Sequence, residues 1–588
     1  MTGLLEQIGK EAAQAFEAAG YDGSYGRVTV SNRPDLCEFQ CSGAMAAKKA
    51  YGKAPRDIAA DVLPHFEKSS AVVNVKVEGP GFINFDLSDE FLTGYLSGMA
   101  ADERLGFETV KEPKTMIIDY GGPNVAKPLH IGHLRSAIIG ESIKRIAKFA
   151  GDKVIGDVHL GDWGLRMGLI IASLAESDGD LPYFNEKYTG EYPKEAPFTI
   201  GDLETIYPAV SARSKEDEDF RNKALEATGQ LQEGRRGYRA LWEQIMKVSI
   251  ADLKENYRKL NVEFDLWKGE SDAQKYIPDM VDKMVAGGIA YEDEGALIID
   301  VKEESDAKEV PPCIIRKSDG ASLYATTDLA TIVERMKLYD PGKILYVVDK
   351  RQEMHFKQVF RAARKAGLVK PETELEFLGF GTMNGKDGKP FKTREGGVMR
   401  LETLIRDIDD AMYKKISENQ SVKDENIEET SKIVGLSALK YGDLSNQASK
   451  DYIFDLDKFI SFEGNTGPYI LYTIVRINSI LERYASEGGD INECAFKAPS
   501  GNGEKELMLS CAEFSGAVTA AYEELAPHKL CAYIYGLANE FNHFYHETRI
   551  LSEEDKEKQK GWIALLELVR RILKVSIDML GFEAPERM

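Results

Sequence analysis

The sequence predicts a multidomain α/β protein, with a doubly wound parallel sheet that carries an insertion, a small α/β (α+β) domain before it and an all-α helical bundle after it. Three observations lead there. At 588 residues the chain is too long for one core, since domains hold roughly 100 to 200 residues each. Its middle repeats the order apolar run, Gly/Pro loop, amphipathic stretch, apolar run, which is the order of a parallel βαβ unit. Beyond residue 400 the apolar spacing is helical nearly to the end.

The first domain is expected over 1–112. MTGLLEQIGKEAAQAFEAAG spaces its apolar residues for a helix, and carries Glu6, Glu11 and Glu17 where a secretory leader needs a basic flank and an apolar run. VVNVKV and FINFDL then alternate as strands around the turn Glu78-Gly79-Pro80-Gly81. The central domain is expected over 113–400. KEPKT leads into the strand MIIDY, followed by a Gly/Pro loop, a helix over 133–150, Gly151, the strand VIGDVHL, and GDWG opening another helix. Residues 176–300 combine a polar acidic loop, a charged helical segment and GALIIDV, and read as an insertion. KILYVVD (343–349), a helix over 352–367 and LEFLGFG (375–381) supply the second βαβ half. A connecting helical region (401–455) precedes the helical bundle (456–588), which has a soft break at 486–504.

Lys and Arg number 75 against 97 Asp and Glu, a net charge of −22, which argues against a broad basic face for nucleic acid. The six cysteines show no C-x-x-C pairing and speak against a disulfide framework or a Cys-rich zinc site. No run of 18 apolar residues occurs, so no membrane span is expected. The expectation is a protein of the reducing cytoplasm. Oligomeric state leaves no trace in the sequence, and a monomer is expected.

Two segments could carry chemistry. PNVAKPLHIGH follows MIIDY directly and sets His130 and His133 at the mouth of a helix that starts at the carboxyl end of a parallel strand. A helix N-terminus offers unpaired N–H groups and positive potential to phosphates. Gly132 lets a flat base approach the backbone, and imidazoles can hydrogen-bond phosphate oxygens as charge builds up. Without the strand and loop before them, two histidines three apart would read as one side of a helix. The second segment, GTMNGKDGKPFKTREGG (381–397), sets Lys386, Lys389, Lys392 and Arg394 among glycines. It suits a cationic lid closing on a triphosphate or, read alone, a solvated hairpin. Neither segment is a Walker loop. A nucleotidyltransferase that adenylates a small metabolite would explain 116–400 and leave both terminal domains idle. An RNA-binding relative without catalysis would have no use for both histidines and the lid lysines.

At these residues the chain resembles the class I aminoacyl-tRNA synthetases, with His130-Ile131-Gly132-His133 as the HIGH signature and 389–394 as a variant of KMSKS. Within that class it resembles the arginyl-tRNA synthetases through six stretches in order: PNVAKPLHIGH, HLGDWG (159–164), SLYATTDLA (322–330), DGKPFKTREGG (387–397), FISFEGNTGPYILY (459–472) and the terminal LGFEAPERM.

The resemblance implies a Rossmann-type catalytic domain and a ligase that activates arginine with ATP, then transfers it to the 3′-terminal ribose of its tRNA, with tRNA needed before adenylate forms. It implies that His130, Gly132 and His133 bind ATP, the two histidines stabilising the transition state, and that Lys127, Lys389 and Lys392 neutralise the phosphates. KPFKTR departs from KMSKS, so which lysine takes the main role stays open. A guanidinium is a planar fork that pairs bidentately with carboxylates, and Asp119 and Asp328 are the acidic candidates. By resemblance Tyr324 adjoins the guanidinium, Asn124 and His159 hold the amino-acid end, and Gln352 closes the site. Read alone, Asp328 could be a helix N-cap. Arg166, in HLGDWGLRMG, stands where the family pattern often has Gln and is given no role. Mg2+ should accompany ATP without dedicated protein ligands, and no zinc is expected.

The ends gain readings only through the resemblance. Residues 1–112 match an appendage that contacts the outer corner of tRNA, with Lys48, Lys49, Lys53 and Arg56 as its one basic cluster, which a solvated helix face explains almost equally well. The helical end resembles an anticodon-binding bundle. Tyr469, Tyr472, Phe541, Phe544, Tyr545 and Trp562 could stack on bases, though at helical spacing most should be core. His543 and His546 lack an acidic third ligand and read as surface or packing residues. Residues 1–112 carry 11 basic against 17 acidic side chains, and 441–588 carry 15 against 24. Local patches, not overall charge, are therefore expected to hold tRNA.

Overall fold

The period-two alternation near the N-terminus becomes a four-stranded antiparallel sheet. Helix α1 (Leu4–Ala18) precedes β1 (Val28–Val30) and β2 (Phe39–Cys41); α2 (Gly43–Tyr51) and α3 (Pro55–Phe66) lead to β3 (Val72–Glu78), β4 (Phe82–Leu87) and α4 (Asp89–Ala101). The strand order is β1-β2-β4-β3. Phe85 on β4 is fully buried between Phe39 and Phe66, with ring centroids 6.0 and 5.0 Å away. The computed structural model describes residues 3–317, 324–389, 399–418 and 426–588. One unit joins Met1–Lys111 with Ile416–Tyr441 and Ser461–Met588, and the other joins Glu112–Lys415 with Gly442–Ile460.

The second unit holds the doubly wound sheet. Strand β5 (Thr115–Asp119), α5 (Ile131–Ala150) and β6 (Lys153–Asp157) form the first parallel pair, followed by α6 (Leu165–Ser177). The stretch read as an insertion supplies α7 (Ile200–Glu216), α8 (Glu218–Gln232), α9 (Arg236–Lys259), the short α10 (Glu270–Ala273) and α11 (Ile277–Ala286). A separate antiparallel sheet follows, of β7 (Tyr291–Asp293), β8 (Ala296–Ile299) and β9 (Cys313–Arg316). Then α12 (Tyr324–Tyr339), β10 (Lys343–Asp349), α13 (Glu353–Lys365) and β11 (Glu374–Phe380) complete a parallel sheet of order β11-β10-β5-β6. Ile117, Ile118, Ile344, Leu345 and Val347 on its central strands are fully buried, as a sheet covered by helices on both faces requires. Asp119, Asp157 and Asp349 end three of the strands, on the carboxyl edge where such sheets bind ligands.

The strand expected from VIGDVHL ends at Asp157. The rest of that run leaves the sheet to pair with a different segment: the Val158 N–H donates to the Leu266 carbonyl at 3.2 Å and the Leu160 N–H to that of Lys268 at 2.7 Å. Periodicity finds an extended run but not its partner.

Beyond β11 come β12 (Met383–Asn384), α14 (Leu401–Ser417), α15 (Ile427–Leu444), β13 (Tyr452–Ile453) and α16 (Leu456–Phe459). The helical end consists of α17 (Gly467–Ser486), α18 (Asn502–Ala512), α19 (Phe514–Glu523), α20 (Pro527–Glu547) and α21 (Lys556–Met579). Thr466 caps α17 by accepting the Tyr469 N–H at 3.2 Å, with Pro468 in the first turn. No helix among the described residues is long and apolar enough to cross a membrane.

Candidate active site

Helix α5 starts where the loop after β5 ends, and His130 is its N-cap. The His130 Nδ1 accepts the Gly132 N–H at 3.0 Å, and the His133 Nδ1 accepts the His130 N–H at 3.3 Å. Each ring thus spends its Nδ1 as an acceptor, so the neutral tautomer carries its proton on Nε2 and both rings can donate from there. The rings stack with centroids 3.9 Å apart. Gly132 keeps that space open, since a Cβ there would lie 2.8 Å from the His130 ring. Burial, and then the charge of Lys127, push His130 down to about 4; burial followed by His130, Lys127 and Arg166 holds His133 well below the usual imidazole range. Lys127 is itself lowered by burial and by Arg166. No carboxylate is among the groups acting on these three. Cations and imidazoles that repel added protons favour an anion.

A second loop completes this wall. The Val125 N–H donates to the Gly161 carbonyl at 3.2 Å and the Gly161 N–H to that of Pro123 at 3.1 Å. Asn124 lies so close to Gly161 that a Cβ there would meet the Asn124 Oδ1 at 2.2 Å. Two residues earlier, His159 holds φ at 30°, strained for a residue with a side chain, and both of its ring nitrogens are buried without a partner. Buried Asp162 accepts the Ser271 N–H at 3.0 Å and its hydroxyl at 2.6 Å. The Glu270 N–H donates to the Leu160 carbonyl at 3.0 Å, which fixes Glu270 at the start of α10.

The acidic candidates lie at and beside the strand ends. Asp119 and Asp157 are register partners on β5 and β6, and both accept from the Arg335 Nη2, at 2.6 and 2.8 Å. Arg335, on α12, is 1% exposed. Asp119 therefore differs from a carboxylate left open for substrate: an internal guanidinium already holds its Oδ2. Asp328, half-buried on α12, has its Oδ2 2.6 Å from the Nε2 of His355 on α13. It lies inside the helix and is not its N-cap, because α12 is helical from Tyr324. Tyr324 is 74% exposed, and Gln352 ends an exposed turn after β10. Burial pushes the Glu270 carboxyl up to about 7; His159 and Arg166 oppose that rise, and Asp162 and Asp328 add to it.

The lysine-rich loop begins and ends beside this sheet. His130 pairs with Arg400 through the Ile131 N–H on the Met399 carbonyl at 3.2 Å and the Leu401 N–H on that of Leu129 at 2.9 Å. Lys386 is committed to Asp455 at 3.0 Å and Asp457 at 3.5 Å, so it anchors the loop. The Lys389 carbonyl accepts the Gly385 N–H at 2.8 Å and closes a turn. Lys392 and Arg394 lie outside the described residues.

Residues 96–456 match the family described as tRNA synthetases class I (R), catalytic domain; residues 470–588 match the DALR anticodon binding domain and residues 4–87 the arginyl tRNA synthetase N terminal domain. The chain is 61% identical over 597 residues to the arginine–tRNA ligase of Agathobacter rectalis and 56% identical over 585 residues to that of Alkaliphilus oremlandii, covering 100% of each chain in both cases. The chain belongs to the arginine–tRNA ligases. They are class I aminoacyl-tRNA synthetases, and its substrates are arginine, ATP and tRNA. The same fold is found in the arginyl-tRNA synthetases of Plasmodium falciparum (TM-score 0.83, 22% identity) and Thermus thermophilus (TM-score 0.79, 21% identity), with 100% of each chain covered.

Sequence reasoning missed four residues that stand with these: Asp157, Glu270, Arg335 and His355. Asp157 ends β6 as Asp119 ends β5, and His355 stands three residues after Gln352, so either could have drawn notice; nothing local marks the other two. In the other unit Lys48, Lys49 and Arg56 are exposed, while Lys53 pairs with Asp61. The Tyr469 hydroxyl donates to the Asn539 Oδ1 at 2.7 Å and accepts from the Asn542 Nδ2 at 2.9 Å. Phe541, Phe544 and Trp562 are core, and Tyr472 is 40% exposed with the Arg476 Cζ 4.7 Å over its ring.

Proposed function

We propose that the ligase runs both steps of arginylation on the carboxyl edge of the parallel sheet, binding phosphates at the start of α5 and the guanidinium beside α12. The separation of charge carries this reading: no carboxylate is among the groups acting on Lys127, His130 and His133, whereas Asp119 and Asp157 share Arg335 and Glu270 feels Asp328. The triphosphate accepts from the Nε2–H groups of His130 and His133 beside Gly132, and Lys127, Lys389 and Lys392 neutralise it. Mg2+ travels with ATP on phosphate oxygens and water, without dedicated protein ligands.

The guanidinium donates to Asp328, which His355 holds in place, and Asp119 and Glu270 complete the negative wall. Tyr324 packs against the guanidinium, Gln352 closes the site, and Asn124 and His159 hold the amino-acid end. The arginine carboxylate attacks the α-phosphorus of ATP and pyrophosphate leaves; the 3′-terminal ribose hydroxyl of tRNA then attacks the adenylate and AMP leaves. No covalent enzyme intermediate is needed, so position and electrostatics do the catalysis. A buried carboxylate left without its guanidinium penalises other amino acids.

The functional modules are residues 1–112 and 456–588 for tRNA and 113–400 for chemistry, joined by 401–455. Lys48, Lys49, Lys53 and Arg56 meet the outer corner of tRNA, and Tyr469 with exposed Tyr472 faces the anticodon. A monomer in the reducing cytoplasm is the proposed state, and six free cysteines suit that compartment. Charging of total tRNA with each amino acid in turn should esterify arginine alone; esterification of another amino acid instead rejects the reading. Pyrophosphate exchange at full rate without tRNA would reject the tRNA-first order.

A further inference from the structure

Arg166, in the first turn of α6, is the cation of the site that the reading above leaves unused. Its Nε and Nη1 are both buried and bond to nothing. Its Cζ lies 4.8 Å over the ring of Tyr207 on α7. Burial raises the pKa of that phenol, but the charge of Arg166 and its hydrogen bond outweigh burial and lower it. Arg166 acts as a like charge on Lys127 and His133 and as an opposite one on Glu270, yet it forms no ion pair with a carboxylate among the described residues. Arg335 also has an unpaired Nε and Nη1, but two carboxylates meet its charge through Nη2, and two more meet that of Lys386. A permanently charged guanidinium with two desolvated, idle donors carries an unmet cost that a bound anion would relieve.

We infer that Arg166 is a further substrate-binding residue for adenylate formation, donating from Nε and Nη1 to the phosphates of ATP. The inference rests on the reading of Lys127, His130 and His133 as the triphosphate site. The Nε–H and Nη1–H groups lie on different edges of the guanidinium, so each can donate to a separate phosphate oxygen. The start of α6 adds positive potential, and the Tyr207 ring holds the guanidinium in place. The carboxylate of the substrate arginine offers the same oxyanion chemistry. The phosphate is favoured because Arg166 shares its field with Lys127 and His133.

The test is pyrophosphate exchange at saturating tRNA for Arg166→Gln, Arg166→Lys and His133→Ala, titrating ATP and arginine separately. Arg166→Gln is expected to raise KM for ATP about tenfold and to leave KM for arginine within about twofold. Arg166→Lys, which keeps the charge and loses the fork, should fall between Arg166→Gln and the parent. The thermal midpoint of unliganded Arg166→Gln should equal or exceed the parent's, since two desolvated donors without partners are removed. An unchanged KM for ATP overturns the inference, and so does a rise confined to KM for arginine or a lowered thermal midpoint as the sole change. An unaffected His133→Ala rejects the histidine reading alone, and the ATP titration of Arg166→Gln still decides for Arg166.

Discussion

The two ends of the proposed site are built on opposite principles. At the start of α5, Lys127, His130, His133 and Arg166 crowd together with no carboxylate acting on Lys127 or the histidines, and burial and neighbouring positive groups lower the pKa of Lys127 and of both histidines. At the arginine end, carboxylates predominate but come with internal partners: Arg335 holds Asp119 and Asp157, and His355 holds Asp328. The difference follows the substrates. A triphosphate supplies much negative charge in a generic form, and a crowd of unpaired donors suffices to attract it. Arginine brings a single positive charge in a specific planar shape. Unpaired carboxylates would attract any cation, whereas carboxylates already held in place leave few acceptors in set directions. On the proposed placement, one end selects for charge and the other for geometry.

The comparison breaks first at Arg335. Replacing it with Met leaves Asp119 and Asp157 as buried neighbours on adjacent strands, and removal of one partner of a buried ion pair costs about 3–5 kcal/mol. Thermal or urea unfolding should show that loss; a variant as stable as the parent would mean that the arginine end does not depend on internal neutralisation. The next largest effect is at the substrate. Asp328→Asn keeps the shape and removes the charge, and should raise KM for arginine roughly 100-fold, equal to about 2.7 kcal/mol for a lost charge-assisted pairing. KM for ATP should stay put, and a matching rise there would erase the distinction between the two ends.

Much of this was legible in order along the chain because the chemistry of α5 is local. MIIDY, PNVAKPLH and the helix after them are contiguous, so strand end, loop and helix mouth could be placed from spacing alone. The arginine end was less legible because its pairings cross the fold. Arg335 meets Asp119 at a separation of 216 residues, and Glu270 reaches its neighbours through a segment that pairs with the run after β6. Nothing in the residues around either one announces the partner. Arg166 shows a third kind of limit: its identity was plain from the start, but a lack of partners becomes visible only once the surroundings are in place.

A smaller effect is expected at the phosphate end, where several donors share the load. His133→Ala should slow adenylate formation by at least about tenfold, equal to roughly 1.4 kcal/mol of transition-state stabilisation, as read by pyrophosphate exchange with tRNA present. An unchanged rate would remove His133 from the chemistry. The depressed pKa values give the sign of the pH effect. Both histidines bind fewer protons folded than unfolded, so their contribution to stability is full above about 6.5 and is lost as pH falls toward the His130 value of about 4. Unfolding measured across that range without ATP should show the decline.

The smallest expected effect is a fraction of a proton at Glu270. With its carboxyl pushed up to about 7, the free ligase holds that proton roughly half the time at neutral pH. A guanidinium arriving alongside favours the anion, so arginine binding at pH 7 should release up to about half a proton. Calorimetry in two buffers of unlike ionisation enthalpy reads this directly, and Glu270→Gln should abolish the buffer dependence. The linkage also has a sign in stability. A carboxyl raised above its unfolded value stabilises most below about 4.5, and that contribution is lost as pH rises through about 7. Bound arginine reverses the trend, so the stabilisation by arginine should grow between pH 5 and 8, the range that brackets this carboxyl. Proton uptake, or heats independent of the buffer, would move Glu270 away from the guanidinium and leave the arginine end with the paired carboxylates alone.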